Sequence, residues 1–287
     1  MITSNINTSS ALFKQISKNL TSLYGQREAE SLAVIIIEYF FEMGRTQILM
    51  DVPFTGMGEE ILGNLNECIE RLKAQEPIQH ILGETEFYGL PFYVSPDVLI
   101  PRPETEELVN WVIEECKNKE LTVLDIGTGS GCIPVVLKKE QPQFNVFGLD
   151  VSSEALTVAN DNAELNQVDI KLMEHDILSD DIPEVNVDVI VSNPPYITLD
   201  EKQDMKKNVL EFDPSLALFV TNEDPLVFYR VIGSLGLEIL SDSGKLFFEI
   251  NENFGNETVE LLKSLGYKEV ILKKDLNDKD RMILALK

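Results

Sequence analysis

The chain is 287 residues long, and at roughly 150 residues per domain that length predicts two domains with full hydrophobic cores. Hydrophobic residues at 44% and charged residues at 25% are ordinary globular values, which excludes a disordered tail and a disulfide miniprotein. Lys+Arg 24 against Asp+Glu 49 leaves a formal net charge of −25; a surface that acidic repels phosphate backbones over a Debye length of about 8 Å, which disfavours tight, salt-driven nucleic-acid binding.

The first residues, MITSNINTSSALFKQ, are polar and lack a basic-then-apolar leader pattern. The greasiest stretch, Leu32 to Phe41, contains Glu38 and is far shorter than the roughly 20 residues that span a bilayer. Cys68, Cys116 and Cys132 are an odd, scattered set without C-x-x-C spacing, so neither a disulfide framework nor a zinc site is expected. His80 and His175 have no ligand-spaced neighbours and read as structural. A soluble, cytoplasmic chain without membrane association or metal is the expectation.

From Ser10 to Gln75 apolar residues recur at helical spacing: Leu12, Phe13, Ile16 and Leu20, then Leu32, Ile35, Ile36, Tyr39 and Phe40, then Ile61, Leu65, Ile69 and Leu72. Gly25 and Gly44 stand where helices are expected to end, and Thr55-Gly56-Met57-Gly58 where another starts. From Ile81 to Val94 the pattern turns short and turn-rich, and Gly89-Leu90-Pro91 between two aromatic segments predicts a hairpin. Beyond Pro101-Arg102-Pro103, apolar runs alternate with helical segments. The predicted strands are Thr122–Ile126, Asn145–Asp150, Ile170–Glu174, Val187–Ser192, Lys245–Ile250, Glu269–Lys273 and Met282–Leu286, the last two as an antiparallel pair. Strands separated by helices imply βαβ units around a buried parallel sheet. The boundaries read as a helical domain over 1–78, a β-hairpin linker over 79–98 and an α/β domain over 99–287.

Two local patterns carry chemistry. The first is the apolar strand Val123–Ile126 running into Gly127-Thr128-Gly129-Ser130-Gly131 and then a helix. Missing side chains let backbone amides of such a loop approach a ligand at the helix N-terminus. Nineteen residues past Gly131, Asp150 ends the next strand, placed to accept from ribose hydroxyls. A strand-to-helix turn with a surface Asp is the plainer alternative for a lone G-x-G. The spacing G-x-G-x-G differs from the dinucleotide G-x-G-x-x-G, and no phosphate-binding G-x-x-x-x-G-K-[ST] is present. S-adenosylmethionine therefore fits better than NAD or ATP: it has no pyrophosphate, and its sulfonium cation suits an acidic protein. Asp176 and Ile177 follow the next strand, and the two readings there are an adenine contact or a simple acidic loop.

The second pattern is Asn193-Pro194-Pro195-Tyr196, directly after the strand Asp188–Ser192. Two prolines fix φ and remove two amide donors, leaving carbonyls to accept. Asn193 adds an acceptor oxygen and Tyr196 a flat face. Methyl transfer to a planar nitrogen needs such a cup, because acceptors gripping both N–H hydrogens aim the nitrogen and stabilise its developing positive charge.

These residues resemble the class I S-adenosylmethionine-dependent methyltransferases. Gln79-His80-Ile81-Leu82-Gly83, Phe87-Tyr88-Gly89, Val98-Leu99-Ile100-Pro101-Arg102-Pro103-Glu104-Thr105-Glu106, the Asp125–Gly131 loop and Asn193–Ile197 resemble, in this order and over nearly the whole chain, the peptide chain release factor N5-glutamine methyltransferases, the PrmC/HemK family. The resemblance implies a small N-terminal helical domain that recognises substrate, a hairpin linker and a seven-stranded Rossmann-like catalytic domain of α/β class. It implies S-adenosylmethionine as cofactor and class I release factors as partners through the glutamine of their Gly-Gly-Gln loop; the net charge argues for no stable nucleic-acid partner, and a monomer is the expectation.

Carried over by motif, Gly127, Thr128, Gly129, Ser130, Gly131, Asp150, Asp176, Ile177 and Asn193 bind the cofactor. Asn193, Pro194 and Tyr196 are catalytic, and Asn193, Pro194, Pro195, Tyr196 and Arg102 bind substrate. Phe248-Glu249-Ile250-Asn251 departs from the family's usual Glu followed by His or Gly, and no role follows for that turn. Arg102 has two readings, a gate or substrate contact against a pairing with Glu104 or Glu106 at a helix start. Two competing functions are adenine-N6 methylation of DNA or RNA by the same turn, which on duplex also requires base flipping, and a cofactor-binding scaffold that has no need of Asn193.

Overall fold

The computed structural model of the chain describes all residues except 1, 4, 55, 56, 118, 179–185, 205 and 206. Two compact units divide between Gly83 and Glu84.

The first unit is helical: α1 (Ser9–Phe41), α2 (Arg45–Leu49), α3 (Glu59–Lys73) and α4 (Ile78–Leu82). Leu12, Ile16, Leu20, Ala33, Ile36 and Ile37 of α1 meet Leu65, Ile69 and Leu72 of α3 in one core. Ile35, Tyr39 and Ile61, counted on the apolar stripe from sequence, are exposed, and Ala33 and Ile37 take their place. Gly25 does not end a helix but kinks α1, at φ 76° and ψ 168°. Gly44 precedes α2, and α1 ends instead on Glu42 in the left-handed region. Met57 and Gly58 precede α3 as expected; Thr55 and Gly56 lie outside the described residues. Among the described residues no helix is long and apolar enough to cross a membrane.

The second unit opens with a hairpin, β1 (Glu84–Phe87) and β2 (Leu90–Tyr93). The turn is Tyr88-Gly89, both at positive φ as a two-residue hairpin loop requires, so Leu90 and Pro91 belong to the strand rather than to the predicted turn. Then follow α5 (Pro103–Cys116), β3 (Thr122–Ile126), α6 (Cys132–Glu140), β4 (Asn145–Asp150), α7 (Ser153–Leu165), β5 (Lys171–Glu174), β6 (Val187–Ser192), β7 (Ile197–Thr198), α8 (Lys207–Phe212), α9 (Ser215–Leu218), β8 (Phe219–Val220), α10 (Val227–Ile239), β9 (Leu240–Glu249), α11 (Gly255–Leu265), β10 (Glu269–Lys274) and β11 (Asp280–Leu286). The hairpin is pinned to α7 by two asparagines: Asn162 exchanges hydrogen bonds with the Tyr93 backbone at 2.6 and 2.9 Å, and Asn166 Nδ2 donates to the Pro91 carbonyl at 2.9 Å.

The seven-stranded sheet has the order β10-β11-β9-β6-β3-β4-β5, with β11 antiparallel to both neighbours and the β9-to-β5 run parallel. Its strands are apolar on both faces because helices cover both. Val123, Val189, Val191, Phe247 and Met282 pack on α5 and α6, while their strand neighbours Leu124, Ile190, Leu246, Phe248 and Ile283 pack on α10 and α11. Each such fully buried side chain contributes about 1.5–3 kcal/mol relative to exposure. All seven predicted strands are present. The fifth, β9, starts five residues earlier than its apolar run, at Leu240, across a register shift opposite Val187 and Val189. The short parallel pair β7–β8, with α8 and α9 between, carries no pattern that predicted it.

Candidate active site

The strand order reverses between β3 and β6, which are adjacent, and open α/β sheets bind ligands at such a switch point. Ile126 pairs with Ser192, so the glycine loop and the Asn-Pro-Pro-Tyr turn leave the sheet side by side; Ser192 Oγ donates to the Ile126 carbonyl at 2.6 Å. Above them lies a cavity of about 400 Å³, within the size range of small-molecule sites.

The loop differs from the sequence expectation in one respect. Its amides are turned inward: Gly127 and Thr128 N–H both donate to the Leu149 carbonyl (2.8 and 3.0 Å), Gly129 N–H to Asp150 Oδ2 (2.8 Å) and Gly131 N–H to the Thr128 carbonyl (2.8 Å). The loop thus presents no row of free donors for an anion, which agrees with a ligand lacking phosphate. Its glycines serve two different ends. A Cβ on Gly127 meets no atom within 4 Å and would enter the cavity, whereas one on Gly131 would stand 2.9 Å from Ala159 Cβ, so Gly131 lets the loop close on α7.

Gly127, Thr128, Gly129, Ser130, Asp150, Asp176 and Ile177 line the cavity together, and Gly131 lies behind them. The Asp150 carboxylate is fixed by Gly129 N–H and by Ser152 N–H at 3.0 Å, each oxygen keeping a lone pair for a further donor. Asp176 Oδ1 accepts from Leu178 N–H at 2.9 Å, and Ile177 is buried. Beneath the loop Asp125 is fully buried and takes the Thr128 hydroxyl at 2.6 Å; burial is the main cause that pushes its carboxyl up to about 7. Cys132 also lines the cavity, with its thiol pushed up to about 12 by burial, so it remains protonated and is no nucleophile.

On the other wall are Asn193 and Pro195; Pro194 and Tyr196 do not line the cavity. Tyr196 packs against the α10–α11 core, and its hydroxyl donates to Glu249 Oε1 at 3.1 Å. Its carbonyl is not free, since Asn251 Nδ2 donates to it at 3.0 Å. Among the described residues no hydrogen bond reaches Asn193 Oδ1 or the backbone carbonyls of Asn193, Pro194 and Pro195, and Asn193 Oδ1 and the Pro194 carbonyl are among these open acceptors of the turn.

Arg102 lines the same cavity and pairs with neither Glu104 nor Glu106: its partner is the buried Asp213, at 2.6 Å and 111 residues away. Glu106 instead accepts from Tyr88 N–H in the hairpin turn at 2.7 Å. Three polar residues without a role in the sequence reading support the site. Thr105 and Glu249 are buried and bonded to each other at 2.7 Å, and Asn251 holds the turn from the end of β9. Glu249 is signalled in the sequence as a polar residue inside the apolar stretch Leu246–Ile250, whereas Thr105 and Asn251 stand among polar neighbours and carry no such signal.

Two families match the chain, Methyltransferase small domain over residues 105–212 and PrmC N-terminal domain over residues 11–83. A release factor glutamine methyltransferase from Flavobacterium psychrophilum is 48% identical over 273 residues, covering 94% of this chain and 95% of that protein. One from Bacteroides thetaiotaomicron is 41% identical, covering 94% and 97%. A methyltransferase structure from Pyrococcus furiosus has the same fold at a TM-score of 0.52 and 18% identity, covering 80% of this chain and 99% of that one.

Proposed function

The chain belongs to the release factor glutamine methyltransferase family, and on that premise we propose that it transfers a methyl group from S-adenosylmethionine to the side-chain amide nitrogen of the glutamine in the Gly-Gly-Gln motif of class I peptide chain release factors. The observation that carries this reading is the adjacency of the glycine loop and the Asn193 turn on one cavity at the switch point. Residues 127–131 and Asp150 would hold the cofactor, with Ile177 and Asp176 toward its adenine. When bound, the cofactor supplies an electrophilic methyl group. The inward-turned loop amides and the acidic carboxylates fit a cationic ligand better than a phosphate-bearing one.

The chain's own contribution is orientation and electrostatics. Asn193 Oδ1 and the Pro194 carbonyl would accept the two N–H hydrogens of the glutamine amide, Pro195 would wall the pocket, and Tyr196 would brace the turn from behind. Acceptors aimed at both hydrogens stabilise positive charge as the nitrogen is alkylated, and no strong base is needed. The proton leaves after methylation has made it acidic. Arg102, held by Asp213, would contact the substrate peptide at the mouth. The helical residues 1–78 would recognise the release factor, with 79–98 as linker and 99–287 as catalytic domain. A cytoplasmic monomer without stable nucleic-acid partners completes the reading, and the net charge of −25 supports its last clause.

Labelled S-adenosylmethionine offered with a release factor, its Gly-Gly-Gln→Gly-Gly-Ala variant and DNA in parallel tests this directly. Label on the first alone is expected; label on DNA or on the variant overturns it. In Asn193→Ala methyl transfer should fall by about 10²-fold or more, well beyond any loss of cofactor affinity. Turnover within a few-fold of the parent would refute the acceptor role.

A further inference from the structure

A carboxamide is nearly symmetric in shape, with an acceptor at one end and donors at the other. Turned by 180° about its last bond, Asn193 would present N–H groups to the N–H groups of a substrate amide. The site works only if something decides which end faces which way. The structure assigns that role to Thr105 and Glu249: the pair fixes the polarity of the Asn193 amide, so that its oxygen is the end left for the substrate.

Glu249 sits at the end of β9, fully buried; burial pushes its carboxyl up, while two hydroxyls donating to it favour the ionised form, in which it offers only acceptors. Both of its oxygens are taken by hydroxyls, Thr105 on Oε2 at 2.7 Å and Tyr196 on Oε1 at 3.1 Å. A threonine hydroxyl has one proton. Once it is given to Glu249, Thr105 Oγ1 offers only lone pairs in other directions. The end of Asn193 that faces it, at 3.2 Å, is therefore the NH₂ end, and Oδ1 is left uncommitted. The reverse orientation would set Oδ1 against Oγ1, two acceptors with no proton between them. Direction runs along the chain from Glu249 through Thr105 to Asn193. Tyr196 bonds to the same carboxyl group, so Glu249 also anchors the far end of the turn.

The assignment rests on the proposed glutamine-methylating role of Asn193; Thr105 lines the same cavity, and both it and Glu249 are positioning residues that act through Asn193. Thr105→Val keeps the shape and removes the hydroxyl. In the full chain it should lower kcat on a release factor 10- to 100-fold, with KM for the release factor and Kd for S-adenosylmethionine within threefold of the parent. Thr105→Ser should return kcat to within threefold. Glu249→Gln puts a donor into the anchor and should fall like Thr105→Val. In an Asn193→Ala background Thr105→Val should cost nothing further, because its effect passes through Asn193.

A substrate-independent readout accompanies these. In the parent, the Asn193 side-chain NH₂ resonance, assigned by its loss in Asn193→Ala, should show an Overhauser contact to the Thr105 methyl, weakened in Glu249→Gln. Absence of that contact in the parent, or a full Thr105→Val penalty in the Asn193→Ala background, overturns the inference. A parent enzyme that shows the contact yet leaves the release factor unlabelled overturns the substrate reading and leaves the polarity assignment standing.

Discussion

Gly131 and Gly127 share a left-handed φ of 76° but face different surroundings, so the same substitution should do different damage at each. A side chain in that region costs about 1–2 kcal/mol, and both Gly→Ala variants incur it. At Gly127 nothing lies within 4 Å of the new Cβ, and the strain is the whole stability cost. At Gly131 the Cβ meets Ala159 Cβ at 2.9 Å and Ala159 Cα at 3.1 Å, and the second of these is backbone that cannot rotate away. Forcing α6 and α7 apart adds about 1–3 kcal/mol, as overpacking does in other cores.

Gly131→Ala should therefore lose about 2–5 kcal/mol against about 1–2 for Gly127→Ala, out of a total of about 5–15 for a typical domain. Urea unfolding of both variants and the parent, read at a common slope, measures the difference. Binding should rank them the other way relative to stability, because the Gly127 methyl enters the cavity itself. Its cofactor affinity by calorimetry should fall tenfold or more despite the milder unfolding cost. Equal stability losses within about 0.5 kcal/mol would refute the claim that Gly131 is a packing position and Gly127 a ligand-facing one.

Two further outcomes follow from the same wall of the site. Asp150→Ala should weaken cofactor binding by about 1.5–3 kcal/mol, or ten- to a hundredfold, because it removes a charged acceptor and frees the Gly129 and Ser152 amides; unchanged calorimetric affinity would refute the assignment. Asp125, whose carboxyl burial raises from 3.8 to about 7, binds its proton more tightly folded than unfolded, so the stability it contributes is present below about pH 4 and lost as pH rises toward 7. Asp125→Asn should therefore remove part of the parent's loss of stability between pH 4 and 7, and urea midpoints that fall in parallel for both proteins across that window would contradict it.

What the sequence made legible was what depends on neighbours along the chain. The parallel strands appear as unbroken apolar runs because helices bury both faces, and the glycine loop and the proline-stiffened turn are each contiguous. The position of Asp150 follows from one βαβ step. Pairings across long separations were not legible. Arg102 finds Asp213 rather than the acidic residues beside it, of which Glu106 accepts from the hairpin turn. The bond from Thr105 to Glu249 spans 144 residues, and nothing local distinguishes that threonine from a helix-start residue. The first five residues of β9 carry no strand signal, because a polar segment opens the strand ahead of its apolar stretch. Gly25 reads as a helix stop in sequence, yet helical residues on both sides share one core and carry α1 past it with a kink.

The most specific stretch of the chain gains its meaning from its place at a helix start. Thr105 and Glu106 lie in the first turn of α5 and Arg102 is its N-cap, in extended backbone directly before it. Each reaches a different element: Asp213 before α9, Glu249 and Asn193 at the sheet ends, and the Tyr88 amide in the hairpin. A helical turn and its N-cap are too stiff to let these three connections move independently, so the cavity mouth, the acceptor turn and the hairpin are set in register by one rigid piece of backbone. Acidic Glu104 and Glu106 in that turn also stabilise the helix start through its dipole, by about 0.3–1 kcal/mol each. The block is therefore demanding in order as well as composition: exchanging Thr105 and Glu106 would keep the charge and the helix start yet take the hydroxyl from Glu249 and the carboxylate from the hairpin.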